Sequence, residues 1–544
     1  MYLNEYYKWH DMVGVIENLV AISDRVYRSE VIGYSRSGRP LLLLTITEPS
    51  TPDTAKSGIW VDGDMHPGGV LGSTACLNLA ARLVQGWSKD RRIQELLIHK
   101  VFYILPRWCV DAVDTYLTTP YYPRGNNSVA YEVAGLIFLE DIDGDGIIRE
   151  MRVPNPAGAW RISTLDSRLM VPRQPGDSGP FYDLFPEGRY HTHAKTEFDS
   201  FVDLNRNFPY QFVTSYSSGP NPLSEPETAA VAQFIRSHPN IGLALSLHTW
   251  AGVILTPFAN PEDSLTSGDQ ILYDYIAQVA KDTLGYPCIP GWKFSPAALG
   301  SRAGTFVDWL YQECGVLAMA VELWEPLRKA GVVSNYVDPM IPRSEQENKK
   351  FLDWLTDNIP NAVRSWRPFH HPDLGMVEIG GINRKFALEN PPPNSRLLQD
   401  EVEHFISFVL KLAEGLPLVR LVDCKMNWLD HHQIELQLTV KNTGYWPTSV
   451  TKRAESILPP VTVTIRYADN IQTKWEVGNL DGYGVEHLLD WISGNGSSFR
   501  AIGRCRASCR YRIRLPSNYG GPLKIVSSSP RAGLHRYTLH IKKC

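Results

Sequence analysis

The sequence predicts an α/β protein: a mixed, mostly parallel sheet flanked by helices, followed by a C-terminal β-sandwich. Three observations predict it. Apolar runs of strand length (Gly58–Asp62, Lys100–Pro106, Ile241–Leu247, Gly315–Leu323) alternate with segments of helical periodicity, the pattern of a sheet covered on both faces. Several of those runs end at or near a reactive side chain, and in open α/β sheets sites form beyond the carboxyl ends of strands. From about residue 417 the character changes to short alternating strands separated by turn residues, which signals two packed antiparallel sheets.

Taken in order, Met12, Val15, Ile16, Leu19 and Val20 recur at helical spacing across residues 11–24. Strands are expected at 28–33 and 40–47, joined by a turn at Arg36–Ser37–Gly38–Arg39–Pro40, where Gly and Pro take their usual roles. Gly58–Asp62 reads as a strand running towards His66, with an amphipathic helix from Val70 to Trp87 directly after it. Further helices are expected near 225–237, 267–284 and 345–358. Residues 107–224 interrupt the alternation and are rich in Pro, Gly, Asp and Tyr; so long an irregular stretch in a compact domain usually serves function or ligand binding. A proline-rich linker, Asn390–Pro391–Pro392–Pro393–Asn394, precedes a helix near 397–414. Ile434–Val440, Val461–Ile465 and Tyr537–Ile541 alternate as half-buried strands. The expected organisation is a first domain over 1–366, a linker and helix over 367–415, and a β domain over 416–544.

Composition narrows the class. The chain has 544 residues, 43% apolar and 21% charged, as soluble globular proteins do. With 54 basic against 58 acidic side chains the net charge is −4, which offers no footprint for nucleic acid or for an acidic membrane surface. No run approaches ~18 consecutive apolar residues, so no membrane span is expected. Residues 1–10 are polar and aromatic and lack the basic start and apolar stretch of a secretory signal. The eight cysteines are scattered, with only Cys505 and Cys509 close together. Reduced thiols and a cytoplasmic location are the matching expectation.

Four groups of residues carry chemistry. His66 and His248 each follow a strand-like run, where a neutral imidazole can bind a metal; either one alone is better explained as a satisfied polar histidine, and the metal reading gains when both are taken with Glu322. Glu322 closes the run Leu317–Val321. A carboxylate there is costly unless it is paired with an arginine or opens on a cleft, and partial desolvation would suit it to act as a general base. Asn205 and Arg206 stand side by side, and a guanidinium fork matches a carboxylate bidentately, although a structural arginine beside a turn asparagine reads the same way. Asp141, Asp143 and Asp145 alternate before Gly146, as in calcium loops. The twelfth loop position is Arg152, which excludes a full EF-hand and leaves either a calcium-stiffened loop or a plain acidic turn.

These segments resemble the M14 zinc carboxypeptidases. Ile32–Pro40 is similar to that family's early hairpin, Asp203–Phe208 to its substrate-carboxylate motif, Ser224–Thr228 to the helix start that follows, and Ser246–His248 to its second metal segment. Gly304–Trp309 leading to Val321–Trp324 resembles its catalytic-glutamate segment. Glu140–Gly146 and Val377–Gly381 look like a bacterial subgroup with a C-terminal β domain. The resemblance implies a carboxypeptidase-like fold, with Zn2+ held by His66 and His248. It implies Glu322 as general base and Asn205 and Arg206 as anchors for a terminal carboxylate. It also implies an arginine that polarises the scissile carbonyl, with Arg152 the first choice and Arg107 the second. Val307 falls where the family sets side-chain preference, which favours an apolar or aromatic terminal residue. One ligand departs from the family: its metal-binding glutamate would fall at Gly69, in His66–Pro67–Gly68–Gly69. Asp64 lies two residues before His66, on the same side if the backbone is extended, and could supply the third ligand; the alternatives are an extra water on the metal or an empty site. No segment matches the tyrosine that caps bound substrate; around Trp292–Ser301 the pattern differs.

The expected activity is metal-dependent hydrolysis of an amide bond beside a free carboxylate, in a peptide or a small peptide-like compound. Two rivals stand beside it. One is amide or amine chemistry on a non-peptide metabolite with a rebuilt metal centre. The other is a metal-free module that holds peptide C-termini. The β domain is open to three roles: binding a partner, covering an edge, or joining copies into a homo-oligomer.

Overall fold

Successive residues of a strand point to opposite faces, and the central strands of this chain are apolar at nearly every position. They therefore need cover on both sides. The computed structural model describes residues 3–22, 26–119, 123, 125–126, 137–190, 202–215, 217–294, 302–333, 343–468, 471–484, 505–517 and 519–541. An eight-stranded sheet runs in the spatial order Tyr27–Tyr34, Pro40–Ile46, Lys100–Leu105, Ser57–Asp62, Ile241–Thr249, Leu317–Leu323, Val253–Thr256, Cys288–Pro290. Its four middle strands, from Lys100–Leu105 to Leu317–Leu323, are mutually parallel. Antiparallel pairs flank them on both sides.

One face of the sheet buries Ile59, Val61, Leu245, Met319 and Val321 beneath the helices Leu71–Gly86, Ser267–Thr283 and Arg396–Gly415. The other buries Trp60, Ala244, Ala318 and Ala320 beneath Pro226–Ser237 and Phe306–Cys314. Each fully buried leucine or valine is worth about 1.5–3 kcal/mol. Helix starts are fixed by side chains that accept the first unpaired N–H groups. Thr266 accepts from Asp269 N, Thr305 from Asp308 N, and Ser344 and Glu347 close a reciprocal box. Phe306–Cys314 ends at Gly315, whose φ of 65° suits glycine and turns the chain into the strand that carries Glu322.

The stretch 107–224 is not irregular throughout. Glu150–Pro154, Trp160–Ile162, Met170–Pro172 and Phe181–Pro186 join Val363–His371 and Gly375–Ile382 in a six-stranded antiparallel sheet. This corrects the expected boundary between 366 and 367, which cuts through the strand Val363–His371. The following strand pairs Glu378 with Arg152 and Gly380 with Glu150, so 367–382 belongs to the first domain rather than to a linker.

Beyond Gly415, a three-stranded sheet (Val419–Trp428, Gln433–Asn442, Arg506–Arg514) and a four-stranded sheet (Ile471–Gly478, Val461–Tyr467, Pro522–Ser529, Gly533–His540) share one apolar core containing Leu436, Leu438, Val463, Ile465, Tyr511 and Ile525. That region docks through buried polar groups. Lys100 Nζ donates to Leu416 O and Pro417 O at 2.9 and 2.8 Å. Ser57 Oγ donates to Pro417 O, and Arg531 NH2 to Cys314 O at 2.6 Å. Among the described residues Cys76, Cys109, Cys288, Cys314, Cys424 and Cys509 form no disulfide, and no helix is long and apolar enough to cross a membrane.

Candidate active site

Register places the reactive groups together. His248 and Glu322 sit opposite each other on neighbouring parallel strands, and Ser246 sits opposite Asp62 on the strand that leads to His66. Beyond these strand ends lies a cavity of about 260 Å3, lined among others by His66, His248, Glu322, Asn205, Arg206 and Val307. Six of the expected site residues thus meet in one cleft.

The two imidazoles face one another. His66 Nδ1 lies 3.2 Å from His248 Nδ1. Each ring has a partner on its far side: Asp203 Oδ1 is 2.9 Å from His66 Nε2, and Ser246 Oγ is 3.4 Å from His248 Nε2. Ser246 donates in turn to Asp62 Oδ1 at 2.8 Å, so its hydroxyl oxygen accepts from His248. This arrangement fixes both tautomers with Nε2 protonated and Nδ1 as the acceptor. Two acceptor nitrogens so close repel unless a cation lies between them. Ligands at about 2.0–2.1 Å from a tetrahedral zinc stand about 3.3–3.4 Å apart, so the pair fits such an ion.

The substrate-anchor side is tied to the same carboxylate. Asp203 Oδ1 also accepts from Asn205 N at 2.9 Å, which opens the short turn Leu204–Arg206. Asn205 Oδ1 accepts from Phe306 N at 3.0 Å, and Arg206 NH1 donates to Asn205 O at 2.6 Å. Asp203 therefore couples the imidazole pair to the Asn205–Arg206 turn. Sequence reasoning did not single it out, although an Asp two residues before Asn205 is the usual signal of a cap. Asp308, beside Val307, was also missed. It lines the cavity, its carboxyl is pushed up to about 6 by burial, and it accepts from Ala259 N at 3.0 Å. Leu255, Phe294 and Ala320 make much of the remaining wall apolar.

Three expectations need correction. Asp64 is not turned towards His66. Its φ of 54° breaks the extended backbone on which the alternation argument depended. Its carboxylate instead accepts from Ser73 N at 2.9 Å and from Arg107 Nε at 3.2 Å, fully buried. Arg152 lies in the six-stranded sheet, bonded to Glu378 Oε2 at 2.8 Å and flanked by the Tyr182 and Trp366 rings. Arg107 is held by Asp64 and by Tyr7 O. Neither arginine lines the cavity; Arg206 and Arg302 do. Asp141, Asp143 and Asp145 do converge, with ligand atoms within 4.8 Å of one another. Arg364, however, pairs with both Asp143 and Asp145, and Arg149 pairs with Asp145 at 3.2 Å. The sequence left a calcium-stiffened loop or a plain acidic turn, and these pairs supply the loop's cations from the chain itself. Residues 295–301, most of the segment around Trp292–Ser301, lie outside the described residues.

At Gly69 the family's carboxylate has no counterpart. An ideal Cβ there would stand 3.3 Å from His66 O and 3.6 Å from Thr249 Oγ1. Among the described residues no third His, Cys, Asp or Glu closes around the two Nδ1 atoms. His66 and His248 fit zinc as two ligands of the usual three, and Thr249 lines the same cavity.

A family model described as zinc carboxypeptidase matches residues 12–133 and 183–351, leaving out most of the inserted strands. Carboxypeptidase O of Bos taurus is 22% identical over 319 residues, covering 56% of this chain and 67% of that protein. Its Homo sapiens counterpart is 23% identical over 316 residues, covering 55% and 66%. Carboxypeptidase A5 of Homo sapiens is 32% identical over 136 residues, covering 22% and 30%. The chain thus spans about two thirds, or less, of the length of these curated relatives. Among solved structures, carboxypeptidase A from Helicoverpa armigera aligns with a TM-score of 0.42 at 17% identity, covering 65% of this chain and 72% of that one.

Proposed function

This chain belongs to the zinc carboxypeptidase family, and on that premise we propose that it hydrolyses the amide bond next to a free C-terminal carboxylate in a peptide. The facing Nδ1 atoms of His66 and His248, set over a cavity that also holds Asn205, Arg206 and Glu322, carry this reading. Zinc bound there would supply a Lewis acid and an acidified water. Asn205 and Arg206 grip the terminal carboxylate, the amide pinned by Phe306 N and the guanidinium by its own turn. Glu322, at the strand end beside His248, accepts the proton released as water adds to the carbonyl. It returns that proton to the departing amine nitrogen. Water is consumed, the C–N bond breaks, and a carboxylic acid and an amine result. Arg302, rather than Arg152, is the second guanidinium available to polarise the carbonyl. The terminal side chain lies against Leu255, Phe294 and Val307, which suits phenylalanine. The Asp308 carboxylate does not make the pocket select a basic residue, since it is bonded to Ala259 N and already feels the charge of Arg206.

The test is release of C-terminal phenylalanine from short peptides by the full chain supplied with zinc. Glu322→Gln should lower turnover by about 1,000-fold or more while the protein stays folded. Turnover that survives this change, or that ignores a chelator, would remove the mechanism. Binding without any cleavage would favour the second reading, capture of peptide C-termini, for which the bare Gly69 is the supporting observation.

A further inference from the structure

A second cavity, of about 360 Å3, lies between the inserted six-stranded sheet and the helix Glu345–Asn358. Trp250, two residues beyond His248, lines both cavities and forms their shared wall. Trp160, Phe351 and Leu388 make the new cavity largely apolar. One carboxylate opens into it, that of Glu150. Among the described residues this side chain makes no hydrogen bond and no ion pair, and the charge of Arg384 acts on it from further away. The local cations are engaged elsewhere: Arg168 with Asp166, Arg384 with Glu389, Arg343 with Asn348. The backbone makes room for the carboxylate, because a Cβ on Gly381 would stand 2.4 Å from Glu150 Oε2. Burial pushes the carboxyl up to about 6, so it is still mostly charged at neutral pH. An anion set against aromatic walls without a partner is costly on its own, and it is suited to a ligand cation.

We propose that this cavity is a subsite for the protonated amino terminus of a short peptide, with Glu150 pairing to the ammonium and Trp160 and Trp250 enclosing it. The inference rests on the reading of the first cavity as the seat of the peptide's C-terminal carboxylate. With Arg206 reading one end and Glu150 the other, the substrate is a peptide of a few residues rather than the tail of a protein. The walls come largely from residues that the family match leaves out, so the selectivity belongs to this chain's own additions.

The experiment measures binding, so that it does not depend on turnover. Full-length Glu322→Gln protein is titrated calorimetrically with peptides of two to four residues ending in phenylalanine, each with a free and an acetylated amino terminus. At one or more lengths the free amine should bind about tenfold or more tightly. Adding Glu150→Gln should abolish that preference while leaving affinity for the acetylated peptide unchanged; Glu150 has no hydrogen-bond partner to strand, so the amide should fold. Equal affinity for free and acetylated peptides at every length, or a preference that survives Glu150→Gln, would overturn the proposal. An acetylated peptide whose first residue is lysine tests the other source of an ammonium group, and recovery of affinity there would overturn the assignment to the amino terminus. An intact binding preference in a wild-type protein that cuts nothing would refute the hydrolase reading and leave this one standing. Cleavage indifferent to acetylation would do the reverse.

Discussion

At Gly69 a single absent side chain separates this site from its family's pattern. An added Cβ would stand 3.3 Å from His66 O, a tight contact that asks the backbone to yield slightly, and 3.6 Å from Thr249 Oγ1, and the φ of Gly69 is not in the left-handed region. Two imidazoles bind zinc more weakly than two imidazoles and a carboxylate, because an anionic ligand offsets the metal's charge as well as filling a coordination position. Gly69→Glu is therefore expected to raise zinc affinity by about tenfold or more, measured by competition with a chromogenic chelator. Unchanged affinity would mean that the third position is already supplied from elsewhere. Asp203 can be tested on the same assay, since losing the carboxylate behind a metal-bound imidazole typically costs about 10–100-fold in affinity; Asp203→Asn should fall in that range. His66, His248 and Glu322 were legible in the sequence because each closes or follows an apolar run, which marks a strand end. Asp203 was hidden because its role depends on a contact 137 positions away. Asp64 misled because alternation presumes an extended backbone, and its φ of 54° reverses the side chain.

Among the elements, the acidic loop offers the clearest contrast between pattern and environment. Gly144 N and Gly146 N both donate to the Asp141 carboxylate at 2.8 Å, as in a loop shaped for calcium. Arg364 then supplies the charge, reaching Asp143 and Asp145 from the strand Val363–His371. The loop should therefore ignore calcium. Wild-type melting should be the same with 1 mM-scale calcium as with chelator. Arg364→Ala should lower stability by roughly 1–3 kcal/mol by leaving Asp143 unpaired and Asp145 with Arg149 alone, and added calcium should restore part of it in that variant alone. A wild-type melting temperature that rises with calcium would reinstate the cation site. The same strand explains why the insertion was illegible. Trp160–Ile162 and Met170–Pro172 are three residues each, too short to display a period of two. Arg152 finds Glu378 at a separation of 226 residues, a pairing that no local window contains. The central strands were readable for the opposite reason: burial on both faces forces an unbroken apolar run, whatever the partner.

For the whole molecule, the C-terminal β region and the catalytic sheet meet through a buried cation. Lys100 opens the strand Lys100–Leu105, and its Nζ donates to Leu416 O and Pro417 O, just beyond the helix Arg396–Gly415. Arg531, bonded to Cys314 O, reaches the turn that launches the Glu322 strand. The β region is thus bound to the frame of the site rather than tethered to it. Burial pushes the Lys100 ammonium down to about 7, with the nearby Arg420 charge acting in the same direction. The unfolded chain would keep this proton up to about pH 10.4. Between about pH 7 and 10 the unfolded state therefore binds a proton that the folded state has released, and stability rises with pH across that window. Below about pH 7 both states hold the proton, and burying the charge weighs fully against folding. The neutral amine still has two N–H groups for the two carbonyls, so docking survives deprotonation. Lys100→Met removes the titration. Between pH 7 and 9 its urea midpoint should rise less than that of the wild-type chain, with other titrating groups cancelling in the comparison. Parallel pH profiles for the two proteins would show that the amine is not desolvated at this junction.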